Sequence, residues 1–589
     1  MTDRFVRELP FGAHYLGNGR TRFRLWAPTQ ERVALDLGAT AVAMNPRPDG
    51  WFEIEAGCSP GAPYRYRLDD GMLVSDPASR AQHLDVHDPS IVVDPRSHRW
   101  QHPRWQGRPW RETVLYELHA GAFGGFAGVQ RALPRLAELG ITAVELMPIS
   151  DFPGRRNWGY DGVLPYAPDS SYGTPDELKA LIDAAHALGL MIFLDVVYNH
   201  FGPDGNYLAA FAPQILRADA DSGWGASLDF TVPELRRFFT ENAIYWLMEY
   251  RFDGLRFDAV HAIADRGWLD ETAIAIRGTV ERGRHVHLVL ENDLNEARFL
   301  TGEYDAQWND DGHHVLHVLL TGEADGYYAD YADRPAERLA RCLKEGFIYQ
   351  GDPSAYRKGE PRGEISAALP PTAFVLFLQN HDQIGNRPFG GKLTTLADPE
   401  ALEAALALVL LAPQIPMLFM GEEDASTTPF LYFTDHHGEL AAAVRDGRRK
   451  EFAGFAGFSD PKQRDLIPDP NDETTFLASI PKPDPEHAAE RFALIKRLLA
   501  IRGEKISPAL DGARALEAGA IGSAAVSARW RLGNGAMLAI LINLGADTTA
   551  VPMPTGTVLF ESRTGASGTV KRDGQLPPRT TIAYWTSAP

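Results

Sequence analysis

At 589 residues the chain is too long for one hydrophobic core and is expected to divide into two to four domains. Hydrophobic residues make up 44% and charged residues 23%, the balance of a folded globular protein, which excludes wholesale disorder. A formal net charge of −20 would repel phosphate backbones; it argues against a nucleic-acid partner but not against a neutral sugar.

The opening MTDRFVRELPFGAHYLG has no apolar segment followed by a small-residue cleavage site. No secretory signal is expected, and a cytoplasmic location follows by default. Residues 1–105 read as short strands between turn signals, as in RFRLWAP, RVALDL and YRYRL. Alternation over 64–68 puts Tyr64, Tyr66 and Leu68 on one face, and an N-terminal β-sandwich module is expected. Over 106–504 the runs VLYEL, ITAVELMP, MIFLDVVYNH, GLRFDAVH, HLVLEND, AFVLFLQNHD and IPMLFMGEE alternate with amphipathic stretches. One such stretch, PDELKALIDAAHALGL, has Pro175 early and Gly189 near its end, the expected helix start and stop signals. With a weaker strand at 305–309 the count reaches eight, which predicts an α/β fold, a (β/α)₈ TIM barrel. An open parallel sheet would produce the same local pattern. The apolar stretch 404–420 is interrupted by Pro413, Gln414 and Pro416, so a buried helix followed by a strand fits better than a membrane span. After the helix AERFALIKRLLAIR, runs such as AMLAILINL and TTIAYW predict a C-terminal β-sandwich domain over 505–589. The two cysteines, Cys58 and Cys342, are far apart and are expected to be reduced and buried.

Several strands end in polar clusters: Asp195-Val-Val-Tyr-Asn-His200, Arg256-Phe-Asp258-Ala-Val-His261, Glu291-Asn-Asp293 and Gln379-Asn-His381-Asp382. The carboxyl ends of barrel strands converge on one mouth, which would bring Asp258, Glu291 and Asp382 to a common rim. Glycosidic cleavage needs a proton for the leaving oxygen and an anion against the developing oxocarbenium, a task for two carboxyls in different protonation states. Arg256, two residues before Asp258, shares its strand face and would keep it ionised, as a nucleophile requires. Glu291 follows Leu288-Val289-Leu290, and desolvation there would favour the neutral acid. A lone Asp at a strand end is more often a cap or loop anchor. Four such clusters on one barrel are hard to attribute to capping.

In this order the clusters resemble the four sequence regions of the α-amylase family, glycoside hydrolase family 13. The resemblance covers nearly the whole chain, including an N-terminal module similar to those of branching and debranching enzymes. It implies that Asp258 is the nucleophile forming a β-glycosyl-enzyme intermediate, Glu291 the acid/base, and Asp382 the third carboxylate that stabilises the transition state. It further implies that Arg256, His200 and His381 hold the nucleophile and the sugar. The Asp258 and Glu291 carboxyls should then lie about 5–5.5 Å apart, with net retention of the α-anomer.

Longer stretches are similar to those of family members that act on malto-oligosyltrehalose. These are Asn157-Trp-Gly-Tyr-Asp161 running on to Tyr172-Gly173, LENDLNEARFL with the following 307–331, and PFLYFTDHHGEL. Such members cleave the α-1,4 bond beside the terminal trehalose, releasing trehalose and a malto-oligosaccharide. For the trehalose side the candidates are Asp310, Asp311, His313 and His314, after the presumed fifth strand, together with His261; Gln383 and Asn386 are further candidate substrate-binding residues. Trp158 and Tyr160, with Tyr327 and Tyr328, are candidate stacking faces, with buried packing an equal alternative for each.

His313, His314 and His317 beside aspartates could be read as a metal site, but the pattern lacks the HExxH arrangement and sugar contacts explain it equally. Asn199 falls where some amylases contribute a calcium ligand, without identifiable companions. No metal or cofactor is therefore expected. A synthase that makes the trehalose-capped substrate is the implied functional partner, and neither a nucleic-acid nor a membrane partner is expected. The alternatives are a branching or debranching enzyme of the same family acting on α-1,6 linkages, or a non-catalytic glucan-binding scaffold. The presence of all three carboxylates disfavours the scaffold.

Overall fold

The computed structural model describes residues 2–221, 226–454 and 460–588. Near the N-terminus, Arg20–Trp26 pairs antiparallel with Gly12–Gly17 and Trp51–Gly57. A second sheet is built on Ala34–Asp36 and Pro63–Arg67. Alternation decides the packing: Phe23, Leu25, Tyr64 and Tyr66 are buried, while Arg20 and Arg67 face solvent. The hydroxyls of Tyr64 and Tyr66 donate to the buried Asp76 carboxyl (2.7 and 3.2 Å), so the polar tips are satisfied inside the core.

The eight expected strands all form and close into a parallel barrel. In order they are Leu115–Leu118, Ala143–Leu146, Met191–Val196, Gly254–Phe257, His287–Leu290, Ala306–Trp308, Phe374–Phe377 and Ile415–Phe419. The first strand pairs with the eighth, Leu115 opposite Met417, which separates a closed barrel from the open sheet. Inward side chains including Met191, Phe193, Val289, Trp308, Phe377 and Met417 fill the interior, with Trp105 and Trp110 packed against them. The barrel is a packed core rather than a pore. The helix Pro175–Ala187 starts with a Thr174–Glu177 capping box and Pro175 at its first position; the chain leaves through Gly189 at φ +74°. The 404–420 stretch divides as expected, into the end of the buried helix Pro399–Leu411 and the eighth strand. No helix among the described residues is long and apolar enough to cross a membrane.

Beyond the helix Ala488–Ile501 lies a five-stranded antiparallel sheet of Arg514–Gly522, Ala525–Arg531, Met537–Asn543, Thr557–Glu561 and Thr580–Thr586. Its Leu541, Ile582 and Tyr584 pack on a short ribbon and on the helix Ala566–Asp573. Part of the second layer is therefore helical, which the strand-like runs did not indicate. Trp530 of this sheet donates from Nε1 to the Leu343 carbonyl (3.3 Å), joining it to a barrel helix. Cys58 and Cys342 are free and buried.

A hairpin after the second strand carries two buried aspartates. Asp151 accepts from the Ser170 N–H, and Asp169 from the N–H groups of Phe152 and Ser171. Burial pushes Asp169 up to about 7, against its hydrogen bonds. A carboxyl raised on folding contributes stability that is complete below its unfolded value and is lost as pH rises through about 7. Asp169→Asn is therefore expected to flatten the fall in Tm between pH 4 and 7 by a few degrees, on the order given by ~1 kcal/mol. Thermal melts at both pH values check this; parallel slopes for the two proteins would contradict it.

Candidate active site

The fourth strand ends in Gly254-Leu-Arg256-Phe257, all buried, and hands Asp258 to the mouth of the barrel. Arg256 spans the site. Its Nη1 donates to Asp195 Oδ2 (2.7 Å) and Asp258 Oδ1 (2.8 Å), and its Nη2 donates to Glu291 Oε2 (2.7 Å). The guanidinium carbon sits 4.1 Å from the centre of the Trp308 ring, so an aromatic face backs the cation. One planar fork thus organises carboxylates from three strands, which a lysine could not do.

The local chain completes the cluster. Asn199 Nδ2 donates to Asp258 Oδ2 (3.1 Å), and the Asn199 side-chain oxygen Oδ1 lies 2.6 Å from His200 Nδ1. His200 Nε2 donates to the Tyr160 backbone carbonyl (3.0 Å), so both ring nitrogens of His200 are engaged in holding this loop. Just past the nucleophile candidate, Ala259 adopts φ +39°, a left-handed conformation uncommon for a residue with a side chain. That bend aims its N–H at Glu291 Oε2 (2.8 Å).

His381 opens the short helix after the seventh strand. The Tyr160 hydroxyl has one proton, which it gives to Asp195 Oδ2 (2.6 Å), so it accepts from His381 Nε2–H (2.8 Å). His381 Nδ1 and the His381 backbone N–H both donate to the Glu117 carboxylate. The network therefore assigns an imidazolium. Burial opposes that charge, but Glu117 outweighs it and the pKa of His381 is raised.

The protonation order differs from the sequence expectation. Burial works to raise Glu291, yet Arg256, His261 and the Ala259 N–H hold it down at about 2. Asp258 is pushed well above the usual carboxylate range by burial and by the adjacent Glu291, despite Arg256. The physical reason is that Arg256 serves both carboxyls, while Glu291 alone receives the extra backbone donor. Both carboxyls depend on one guanidinium, and the charge of each bears on the other.

Asp382 accepts from Asn386 Nδ2 (2.6 Å), and its pKa is raised by burial and Glu291 against the His381 cation. Asp310 also borders the pair, raised well above the usual range by burial and by Glu291, Asp293 and Asp382. His261 Nδ1 accepts from the Asp293 N–H (3.4 Å), and Gln383 accepts from the Tyr327 hydroxyl (3.2 Å). The structure thus gathers Asp258, Glu291, Asp382, Arg256, His261, His381, Tyr160, Asp310, Gln383 and Asn386 around one mouth, with His200 behind it.

Four sequence candidates do not face that mouth. The 310–314 stretch follows the sixth strand, not the fifth, and starts the helix Asp310–Thr321. Asp311 is fully buried and accepts from Asn295, Tyr331, Arg362 and the N–H groups of Ile348 and Tyr349, so it anchors loops. His313 bonds the Leu378 carbonyl and the Tyr328 hydroxyl. His314 is buried against Tyr327 and Tyr331. Trp158 stacks on Phe430 and donates to the Leu431 carbonyl, which places it behind His381 rather than against a sugar. Among the described residues no group of three His, Cys, Asp or Glu is arranged to hold a metal ion; His317 instead pairs with Glu323, which also takes Arg387.

Sequence reasoning missed roles for Glu117, Asp195 and Asn199. The available signal was an acidic residue inside an apolar strand, as in Leu115-Tyr-Glu117-Leu118, which is almost never buried unpaired.

A closed parallel barrel with this carboxyl cluster at its carboxyl-end mouth defines a glycoside hydrolase of the α-amylase class. The alpha amylase catalytic domain family matches residues 96–222, and a domain of unknown function, DUF3459, matches 513–584. A malto-oligosyltrehalose trehalohydrolase from Deinococcus radiodurans is 43% identical over 502 residues, covering 83% of this chain and 82% of that protein. A candidate alpha amylase structure from Salmonella typhimurium superposes with a TM-score of 0.92 at 43% identity, covering 98% of this chain and all of that one. By contrast, a 1,4-alpha-glucan branching enzyme from Xanthomonas axonopodis is 31% identical over 42% of this chain and 39% of its own length. The chain belongs to the malto-oligosyltrehalose trehalohydrolase family, within the α-amylase glycoside hydrolases.

Proposed function

We propose that the protein hydrolyses the α-1,4 bond next to the terminal trehalose of malto-oligosyltrehalose with retention, releasing trehalose. The observation that carries the mechanism is the single guanidinium of Arg256 bonded to both Asp258 and Glu291. Two carboxyls bridged by one guanidinium fit the close spacing of a retaining pair better than the wider gap an inverting pair needs for its water. In the first step Asp258 Oδ attacks the anomeric carbon while Glu291 gives its proton to the leaving trehalose oxygen. Glu291 must therefore carry the proton once substrate is bound, against the pull of Arg256 and the Ala259 N–H that holds it low in the free site. In the second step Glu291 takes a proton from water, whose oxygen displaces Asp258. Asp382 and the His381–Tyr160 pair hold the sugar hydroxyls, and Asp310, His261, Gln383 and Asn386 contact the trehalose side.

The chain divides in this reading into an N-terminal module over 1–105, the catalytic barrel over 106–504 and a C-terminal domain over 505–589. A cytoplasmic synthase that caps malto-oligosaccharides with trehalose supplies the substrate. Incubation with trehalose-capped malto-oligosaccharide is expected to release trehalose, with the α-anomer of the new reducing end appearing first by NMR. Absence of trehalose with altered α-1,6 branch points would favour a branching or debranching enzyme, and a β-anomer appearing first would exclude retention.

A further inference from the structure

Glu145 stands in the second barrel strand, 1% exposed, and among the described residues neither of its carboxyl oxygens has a hydrogen-bond partner. On the first strand its register neighbour is Glu117. The charged groups that bear on it are Glu117, Asp195 and Arg256. None of them is hydrogen-bonded to Glu145 among the described residues. Glu117 is committed to His381, and the Arg256 Nη atoms are committed to Asp195, Asp258 and Glu291. The Arg256 Nε is buried and unpartnered. An ionised carboxylate without a donor is among the least tolerable groups in a protein interior, whereas a neutral acid is far cheaper to bury. Burial and the neighbouring anions push Glu145 well above the usual carboxylate range, in line with the geometry.

We propose that Glu145 is a positioning residue: as a neutral acid it occupies the barrel layer of Glu117 and Asp195 without competing for Arg256, so the guanidinium stays on Asp258 and Glu291. When Glu145 loses its proton, the nearest cation it can draw on is Arg256. The guanidinium is then pulled from the catalytic pair and cleavage slows. This rests on the reading of Asp258 and Glu291 as the catalytic pair.

The test compares pH profiles of kcat and KM for trehalose release in the wild type, E145Q and E145L, with infrared spectra of the same proteins. Both variants are neutral by construction, so a folding failure in one leaves the other. E145Q is expected to keep kcat at neutral pH within about threefold and KM unchanged. Its alkaline arm should move upward by about one pH unit or more, a change that a merely structural role would not cause. E145L should show the same displacement of the arm with a lower plateau. The wild type should show the carbonyl band of a protonated carboxylic acid that is missing in either variant. An alkaline arm that superimposes on the wild type, or no band lost on substitution, overturns the proposal. A wild type that releases no trehalose overturns the proposed function instead, while the infrared band still reports on Glu145.

Discussion

Replacing Asp258 with asparagine is expected to lower kcat for trehalose release by ~10⁴-fold or more, with KM changed by no more than about threefold. Asparagine keeps the size of the side chain, and its amide oxygen can still accept from Arg256, although its NH2 cannot replace the oxygen that accepts from Asn199. What it lacks is the anion that forms the glycosyl-enzyme bond in the proposed mechanism. Because the substitution is nearly isosteric and also removes a buried carboxyl with a raised pKa, the folded state should not be weakened. The loss then belongs to the chemical step. A melting temperature at or above that of the wild type, combined with the collapse of kcat, is the expected pair of results. Residual activity within tenfold of the wild type would place the nucleophile elsewhere.

Arg256→Ala is expected to have the second-largest effect, and on two quantities at once. The guanidinium balances Asp195, Asp258 and Glu291, and removing one partner of a buried ion cluster costs about 3–5 kcal/mol. A fall in kcat of ~10³-fold is expected separately, equivalent to about 4 kcal/mol of lost transition-state stabilisation. The pH dependence has a definite sign. Glu291 is held at about 2, below its unfolded value, so its contribution to stability is present above the ordinary carboxylate range and is lost as pH falls towards 2. Without Arg256 that contribution is missing at every pH. The stability gap between wild type and variant should be widest near neutrality and narrow on acidification, and the acid limb of kcat/KM should move upward. Denaturant titrations at several pH values and a pH–rate profile measure both. A gap independent of pH would mean that Arg256 supports the barrel only by packing on Trp308.

Much of this protein was legible from local sequence. Strand periodicity, β-branched runs and helix stop signals depend on neighbours in the chain, so all eight barrel strands, including the weak one at Ala306–Trp308, could be read from the residues themselves. The same holds for Asp258, Glu291 and Asp382, because barrel geometry sends every carboxyl strand end to one mouth. Closure of the barrel is different. It is settled by the pairing of the first strand with the eighth, about three hundred residues away, and nothing local reports it.

Contacts remote in sequence also decided the finer points of the site. The direction in which the helix Asp310–Thr321 turns its side chains is fixed by loops that Asp311 ties down, and this buries His313 and His314 away from the mouth. Protonation is the clearest case. A run of apolar neighbours before Glu291 argues for a neutral acid, but an arginine from the next strand and the bent backbone at Ala259 reverse that balance. Charge states respond to the whole three-dimensional set of donors and anions, whereas hydrophobic periodicity responds mainly to the residue's own strand or helix. The chain's sequence therefore determined which strand-end groups reach the mouth, while only the tertiary structure decided which helix side chains turn away from it and how the proton is distributed among the carboxyls.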